Sequence, residues 1–184
     1  MSVVYFIPKE LLDLARKFSS YDIKDLGKIL ALIDLSYTKY YAKRNKYNAA
    51  LQYSSQAIRS FSILEDWQYV AECHLHRSYI LWKLDRHHQT MKELHLVIDM
   101  VTQNKLDISS NQGRKILVLA LHNMAAQQCN MGQIGNACIS IENTTKLVQL
   151  CMNSGDSIVP KIESTQRACL TKLMDIILCP KHDQ

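Results

Sequence analysis

Apolar side chains recur along most of this chain at intervals of three and four, the period of one face of an α-helix. Ile23, Leu26, Ile29, Leu30, Ile33, Tyr37, Tyr40 and Tyr41 form one such stripe. After a break at Asn45-Lys46, Tyr47, Ala50, Leu51, Ser54, Ala57, Ile58, Phe61 and Leu64 form the next. Two stripes joined by a short polar break predict a helical hairpin over about 22–64, with Asp22 placed to cap its first helix. The arrangement recurs over about 67–103, with a break at Asp85-Arg86 and a second stripe of Met91, Leu94, Val97, Ile98 and Val101. It recurs again over about 114–152, with a turn at Gly132-Gln133, after a polar loop from Asn104 to Gln112. Pro8 opens a leading helix over 8–20, and Pro160 opens a capping helix over 160–178, since proline suits the first helical turn. The expected fold is an all-α helical-hairpin solenoid in a single domain of 184 residues. Each hairpin carries a stripe too wide to bury alone, so it must stack on a neighbour. A closed helical bundle is the rival fold that the same periodicity would satisfy.

Composition narrows the class. With 47% hydrophobic and 21% charged residues the chain can build a continuous core. Five Gly and three Pro are too few for a many-turned β-sandwich or a long disordered linker. The net charge of +5, from 22 basic and 17 acidic residues, falls short of the clustered excess of a nucleic-acid domain. The first residues, Met1 to Lys9, lack a positive leader and meet Pro8 early, and no apolar run reaches the ~18 residues of a membrane span. The expectation is a cytoplasmic protein without a membrane partner. Cys73, Cys129, Cys138, Cys151, Cys169 and Cys179 form no Cys-x-x-Cys pair and are expected as reduced, small apolar residues.

Candidate chemistry is sparse. Cys73, His74 and His76 bring sulfur and imidazole together, but their spacing converges poorly on a helix and no second pair stands at finger distance, so no metal site is expected. No nucleophile elbow, phosphate loop or paired-histidine metalloprotease motif occurs, and Glu65-Asp66 falls in an interhelical turn where capping accounts for it, so neither an enzyme nor a cofactor is expected. His87-His88 reads as solvated surface, and His95 and His122 as groove or surface. Tyr37, Tyr40, Tyr41, Tyr47 and Tyr53 could stack bases beside Lys39, Lys43, Arg44 and Lys46, but most of them stand where helices pack on one another, with Tyr40 the most exposed. A nucleic-acid binder and an unrecognised helical enzyme are the alternatives to a protein-binding role.

Aligning the hairpins at Asn45-Lys46-Tyr47, Asp85-Arg86-His87 and Gly132-Gln133-Ile134 puts Tyr37/Thr38/Tyr41, Arg77/Ser78/Leu81 and Met124/Ala125/Gln128 in register. The second helices align Ala50, Thr90 and Ala137, then Ser54/Ala57, Leu94/Val97 and Ile141/Thr144. This pattern resembles the tetratricopeptide repeat over about residues 22–152, in about three degenerate copies. Threonine replaces the usual alanine in the second copy, and the repeat spacing of 40 and then 47 residues exceeds the ~34 of the standard unit. Ala120-Leu121-His122-Asn123-Met124-Ala125 is similar to the long-helix repeats of cargo adaptors and of ciliary or cell-division scaffolds.

The resemblance implies a concave groove lined by the first helix of each hairpin. There it places Lys39, Ala42 and Lys43, then Leu75, His76, Tyr79, Trp82 and Lys83, then His122, Asn123, Ala126 and Asn130. Aromatic area from Tyr79 and Trp82 and charge from Lys39, Lys43 and Lys83 suit a peptide or helix, an acidic or C-terminal segment included. Chaperone-binding members grip a terminal carboxylate, but the clamp places read Leu35, Lys39, His76, Leu119 and Asn123 here, so most of that clamp is missing. The implied function is a non-catalytic scaffold or adaptor, one subunit of a larger assembly such as a cytoskeletal or ciliary complex.

Overall fold

The computed structural model describes residues 24–151 and 159–178. The leading helix expected over 8–20 and the Asp22 cap lie outside them. Among the described residues there are seven helices and no strand. They are α1 (Lys24–Lys43), α2 (Tyr47–Ile63), α3 (Trp67–Lys83), α4 (His87–Thr102), α5 (Asn111–Asn130), α6 (Ile134–Cys151) and α7 (Val159–Leu178).

The turns share one geometry. Asn45, Glu65, Asp85, Asn104 and Gly132 all adopt a positive φ, between 54° and 75°. In each case the next N–H reaches back five residues to a helix carbonyl: Lys46 to Tyr41 at 2.9 Å, Asp66 to Phe61 at 3.0 Å, Arg86 to Leu81 at 3.0 Å, Lys105 to Met100 at 2.8 Å and Gln133 to Gln128 at 2.9 Å. This is a left-handed C-terminal cap that satisfies the orphan carbonyls. It also sets the entry to the following helix. Lys46, Asp66 and Arg86 occupy N-cap positions with φ near −87° and ψ of 63–72°, and none bonds the helix through its side chain. The expected capping role of Asp66 is thereby corrected. Its backbone lies off the extended conformation that aims a cap oxygen at the first turn, and its carboxylate instead accepts from Lys28 Nζ of α1 at 2.8 Å.

The third hairpin begins three residues earlier than the sequence pattern suggests. Ser110 has extended backbone (φ −73°, ψ 144°), and its Oγ accepts from Gly113 N at 3.0 Å, so α5 starts at Asn111. The segment before it is tied down, with Asp107 Oδ1 accepting from Ser109 N at 2.8 Å and Leu106 buried in the core.

Every helix packs on its neighbours in sequence, and the odd helices also touch one another, α1 on α3, α3 on α5 and α5 on α7, whereas α2, α4 and α6 do not meet. One row is closed and the other splayed, which is the geometry of a curved helical-hairpin solenoid with the odd helices inside. One continuous core runs through five helices and includes Leu35, Phe61, Val70, Leu94, Val97, Ile116 and Met124. A second patch around Val118, Ile141, Val148 and Ile162 joins α7 to the stack.

The register read from sequence reappears as burial. Thr38, Ser78 and Ala125 are buried, as are Ala50, Thr90 and Ala137, and Ala57, Val97 and Thr144. The small polar members of the set satisfy themselves on their own helices. Thr38 donates to the Asp34 carbonyl at 2.9 Å, Ser78 to Leu75 at 2.8 Å, Thr90 to Arg86 at 3.1 Å and Thr144 to Ser140 at 2.7 Å. A threonine therefore fills the alanine place of hairpin two without an orphan hydroxyl.

The candidate groove between the second and third hairpins

Helical spacing aligns Glu72, Leu75, His76, Tyr79, Trp82 and Lys83 on one side of α3, and Asn123, Ala126, Gln127 and Asn130 on the facing side of α5. Two adjoining concavities lie between these helices. The smaller has a volume of about 160 Å³ and is lined by Ser78, Tyr79 and Trp82 of α3, Thr90 of α4, and Asn123, Ala126, Gln127 and Asn130 of α5. The larger, about 370 Å³, is lined by Glu72, Leu75, His76 and Tyr79 of α3 and by Gln112, Lys115, Ile116, Leu119 and Asn123 of α5. Tyr79 and Asn123 belong to both.

Tyr79 and Trp82 are 45% and 39% exposed, large figures for aromatic side chains inside a concavity. Their ring centroids lie 6.0 Å apart at a tilt of 45°. Lys83 Nζ sits 4.4 Å from the indole centroid and 5.7 Å from the phenol ring, so the one ammonium leans on both faces.

The groove residues expected from the sequence divide into three groups. Tyr79, Trp82, Asn123, Ala126 and Asn130 converge on the smaller concavity, with Lys83 against its aromatic rings. His76 and Leu75 line the larger one. Lys39, Lys43, Ala42 and His122 line neither. Lys39 is spoken for, since its Nζ donates to Glu72 Oε1 across α1 and α3 at 2.7 Å, with His76 Nε2 at 3.6 Å from the same oxygen. His76, opposed by burial and joined by Lys39, holds the Glu72 carboxyl at about 2. The charge expected of Lys39 is thus largely neutralised within the protein. His122 turns toward α7, where burial, and after it the charge of Lys161, lowers its pKa, and its Nδ1 is buried without a hydrogen-bond partner.

Three wall residues of the smaller concavity, Ser78, Thr90 and Gln127, are not marked as groove residues by their spacing, which puts Ser78 and Thr90 in the packing between helices and gives Gln127 no role. Gln127 is 2% exposed, and its Nε2 lies 2.7 Å from His87 Nδ1. His87 is thereby a half-buried partner of α5 and not the solvated surface residue its place in a turn suggests. The Gln127 Oε1 atom is buried with no partner. No local sequence signal marks this, because Gln127 and His87 meet only through the stacking of hairpins.

Four tyrosines of the first hairpin pack on one another, whereas half-buried Tyr47 donates its hydroxyl to Asn45 Oδ1 at 2.8 Å. Tyr37 is fully buried and stacks on Tyr53 at 4.7 Å, Tyr41 stacks on Tyr53 at 5.4 Å, and Tyr40 meets Tyr41 edge-on with Arg44 at 5.1 Å from its ring. Cys73 is fully buried, and burial pushes its thiol up to about 12, the environment of an inert apolar thiol. Among the described residues no three His, Cys, Asp or Glu side chains form a group able to hold a metal ion, and no helix is long and apolar enough to cross a membrane. Comparison with protein-family models and with curated proteins finds no match.

Proposed function

We propose that this chain is a non-catalytic scaffold of the tetratricopeptide type that holds a peptide or helix of another protein between α3 and α5. The observation that supports it best is the pair Tyr79 and Trp82. A fold that buries aromatic area readily elsewhere leaves both rings accessible, side by side, over two concavities rimmed by amide side chains. Aromatic anchors with adaptable polar neighbours are the composition of binding hot spots, and the rigid rings lose little entropy on contact. Lys83 adds one positive charge at this edge, suited to an acidic residue flanking the anchored segment. The exposed apolar side chains Leu170, Met174 and Leu178 of α7 suit contact with a further element of a larger assembly, with cytoplasmic cytoskeletal or ciliary complexes as the expected setting.

The test is a comparative pull-down from lysate. A Tyr79→Ala/Trp82→Ala variant is set against native chain and against an Arg59→Glu control on α2, with circular dichroism confirming that all three are folded. Loss of specific proteins from the groove variant alone supports the reading. An unchanged bound set sinks it.

A further inference from the structure

We infer that the partner segment held between α3 and α5 carries an acidic run beside its anchoring residue, and that Lys43, Lys46, Lys83 and Arg86 form the ladder of charge that receives it. The inference rests on the groove reading and adds the chemistry that must flank the anchor.

Aligning the turns puts Lys43 and Lys83 at one register place, the last residue of α1 and of α3. Lys46 and Arg86 share another, the residue just before α2 and before α4. The odd helices run parallel and α1 touches α3, so equal places stand side by side along one edge of the solenoid. Packed helices lie ~8–10 Å apart, which sets two rungs of two cations at about that separation. All four side chains are exposed, and among the described residues none of them pairs with a carboxylate. Arg44, leaning on the Tyr40 ring, adds a fifth cation, and Asp85 is the one carboxylate on these two turns. The opposite edge has the other sign, with Glu65, Asp66 and Asp107 set against Lys105 in its turns. In hairpin three the ladder places hold Asn130 and Gln133, so the charge stops beside the smaller concavity, which Asn130 lines. Lys83 joins the two features, because its ammonium lies 4.4 Å from the centroid of Trp82, a wall of that concavity.

An extended segment advances ~3.3 Å per residue, so acidic residues about three apart meet successive rungs. Exposed pairs are weak singly, and a row of them acts through its combined field. A peptide fits this surface better than a nucleic acid. A polynucleotide brings a phosphate at every residue and, lying along the groove, would set one against the Glu72 carboxylate in the larger concavity. A peptide can be acidic at the ladder and apolar over Leu119. Tyr37, Tyr41 and Tyr53, the aromatics near the first rung, stack on one another and leave no row of open faces for bases.

The probes are a peptide with one phenylalanine flanked on each side by four glutamates, the same peptide with glutamines in their place, and a single-stranded oligothymidylate. Each is titrated into the full chain and followed by the NMR signals of the Trp82 indole N–H and the Asn123 and Asn130 amides. The expected result is saturable shifts with the glutamate peptide and a Kd at least roughly tenfold tighter than for the glutamine peptide at about 50 mM salt, a difference that shrinks at about 300 mM. A Lys43→Gln/Lys46→Gln/Arg86→Gln variant, which keeps Lys83 for its packing on the aromatic rings, should bind the two peptides alike. Should that variant fail to fold, the salt titration of the native chain decides. No saturation by the glutamate peptide up to about 1 mM, equal affinity for the two peptides, a difference that survives high salt or the triple substitution, or tighter binding of the oligonucleotide would overturn the proposal. The pull-down separates the two ideas. A glutamate preference with no partner lost on changing Tyr79 and Trp82 removes the groove reading alone, and a lost partner without a glutamate preference removes the acidic run alone.

Discussion

Replacing Glu93 with glutamine tests how the first and second hairpins are joined. Glu93 of α4 has a side chain 13% exposed and accepts from His74 Nδ1 at 2.6 Å and from Arg77 Nε at 3.0 Å. Arg77, 26% exposed, carries the network on to Ser55 Oγ at 2.6 Å, Ser54 Oγ at 3.2 Å and the Leu51 carbonyl at 3.3 Å, so α2, α3 and α4 share one polar knot. Removing one partner of a buried ion pair costs ~3–5 kcal/mol, because the other charge is left uncompensated. Partial exposure of the guanidinium and the surviving amide acceptor reduce this to about 2 kcal/mol, a fall in Tm of about 4–8 °C for a chain of this size. Burial alone would raise the Glu93 carboxyl, but the bond from His74 and the charges of His74 and Arg77 outweigh it and hold the pKa below the ordinary 4.5. A lowered native pKa gives stability that is complete above the unfolded value and is lost as pH falls through the native one. The gap between native chain and Glu93→Gln should therefore be constant near neutrality and close progressively below pH ~4.5. Urea titrations from pH 7 to pH 3 measure it, and combining Glu93→Gln with Arg77→Met should depart from additivity by about 1 kcal/mol. A loss below about 0.5 kcal/mol, or a gap that widens in acid, would refute the account.

Glu65→Gly relieves a positive-φ position (φ 54°) at an exposed turn and should gain about 0.5 kcal/mol in urea unfolding, the strain relieved exceeding the added entropy of the unfolded chain. Glu72→Gln removes a carboxylate held at about 2 but paired with partly exposed Lys39 and His76, so it should cost no more than about 1 kcal/mol at neutral pH, a difference that shrinks from pH ~4.5 toward 2. Gly113→Ala places a Cβ 1.9 Å from the Asp107 carbonyl oxygen and should cost at least about 1 kcal/mol despite alanine's better helix propensity, read as a lower Tm.

The helices were legible because their signal is local. A stripe such as Tyr47, Ala50, Ser54, Ala57 and Phe61 needs only its own spacing to declare a helix and its buried side, and Ala50, Ser54, Ala57 and Phe61 are buried. The turns were legible as breaks but not as geometry. Asn45, Asp85, Asn104 and Gly132 are of the types that tolerate a left-handed backbone, whereas Glu65 takes it within the same C-terminal cap, the N–H that follows it bonding the Phe61 carbonyl at 3.0 Å. The start of α5 was misplaced because Gly113 looks like loop composition. Its lack of a side chain is required by the fold-back of Asp107, a contact invisible before the loop is built. Within the groove, face assignment by register brought Tyr79, Trp82, Asn123 and Asn130 together, but it could not reveal that Lys39 is claimed by Glu72 or that His122 turns toward α7. Pairing across hairpins depends on how far each is rotated on its neighbour, and no single-helix periodicity carries that angle.

The same register gives Gln127 its significance. Its equivalent in hairpin two is Ile80, fully buried and apolar, and an apolar side chain is what this inward position calls for. Hairpin three puts an amide there, satisfies one end of it through His87, and leaves Oε1 buried without a partner. Sequences that fold well agree with themselves at every level, and a departure that brings no compensating contact is expected at sites that await one. Lys39 and Glu72 break the apolar pattern too, yet they answer each other within the chain, so they need nothing from outside. Among the described residues of the inner helices, Gln127 Oε1 is buried without a partner, as are His122 Nδ1 and Arg114 Nε of the same helix, and of these three side chains Gln127 is the one that lines the smaller concavity beside Tyr79 and Trp82.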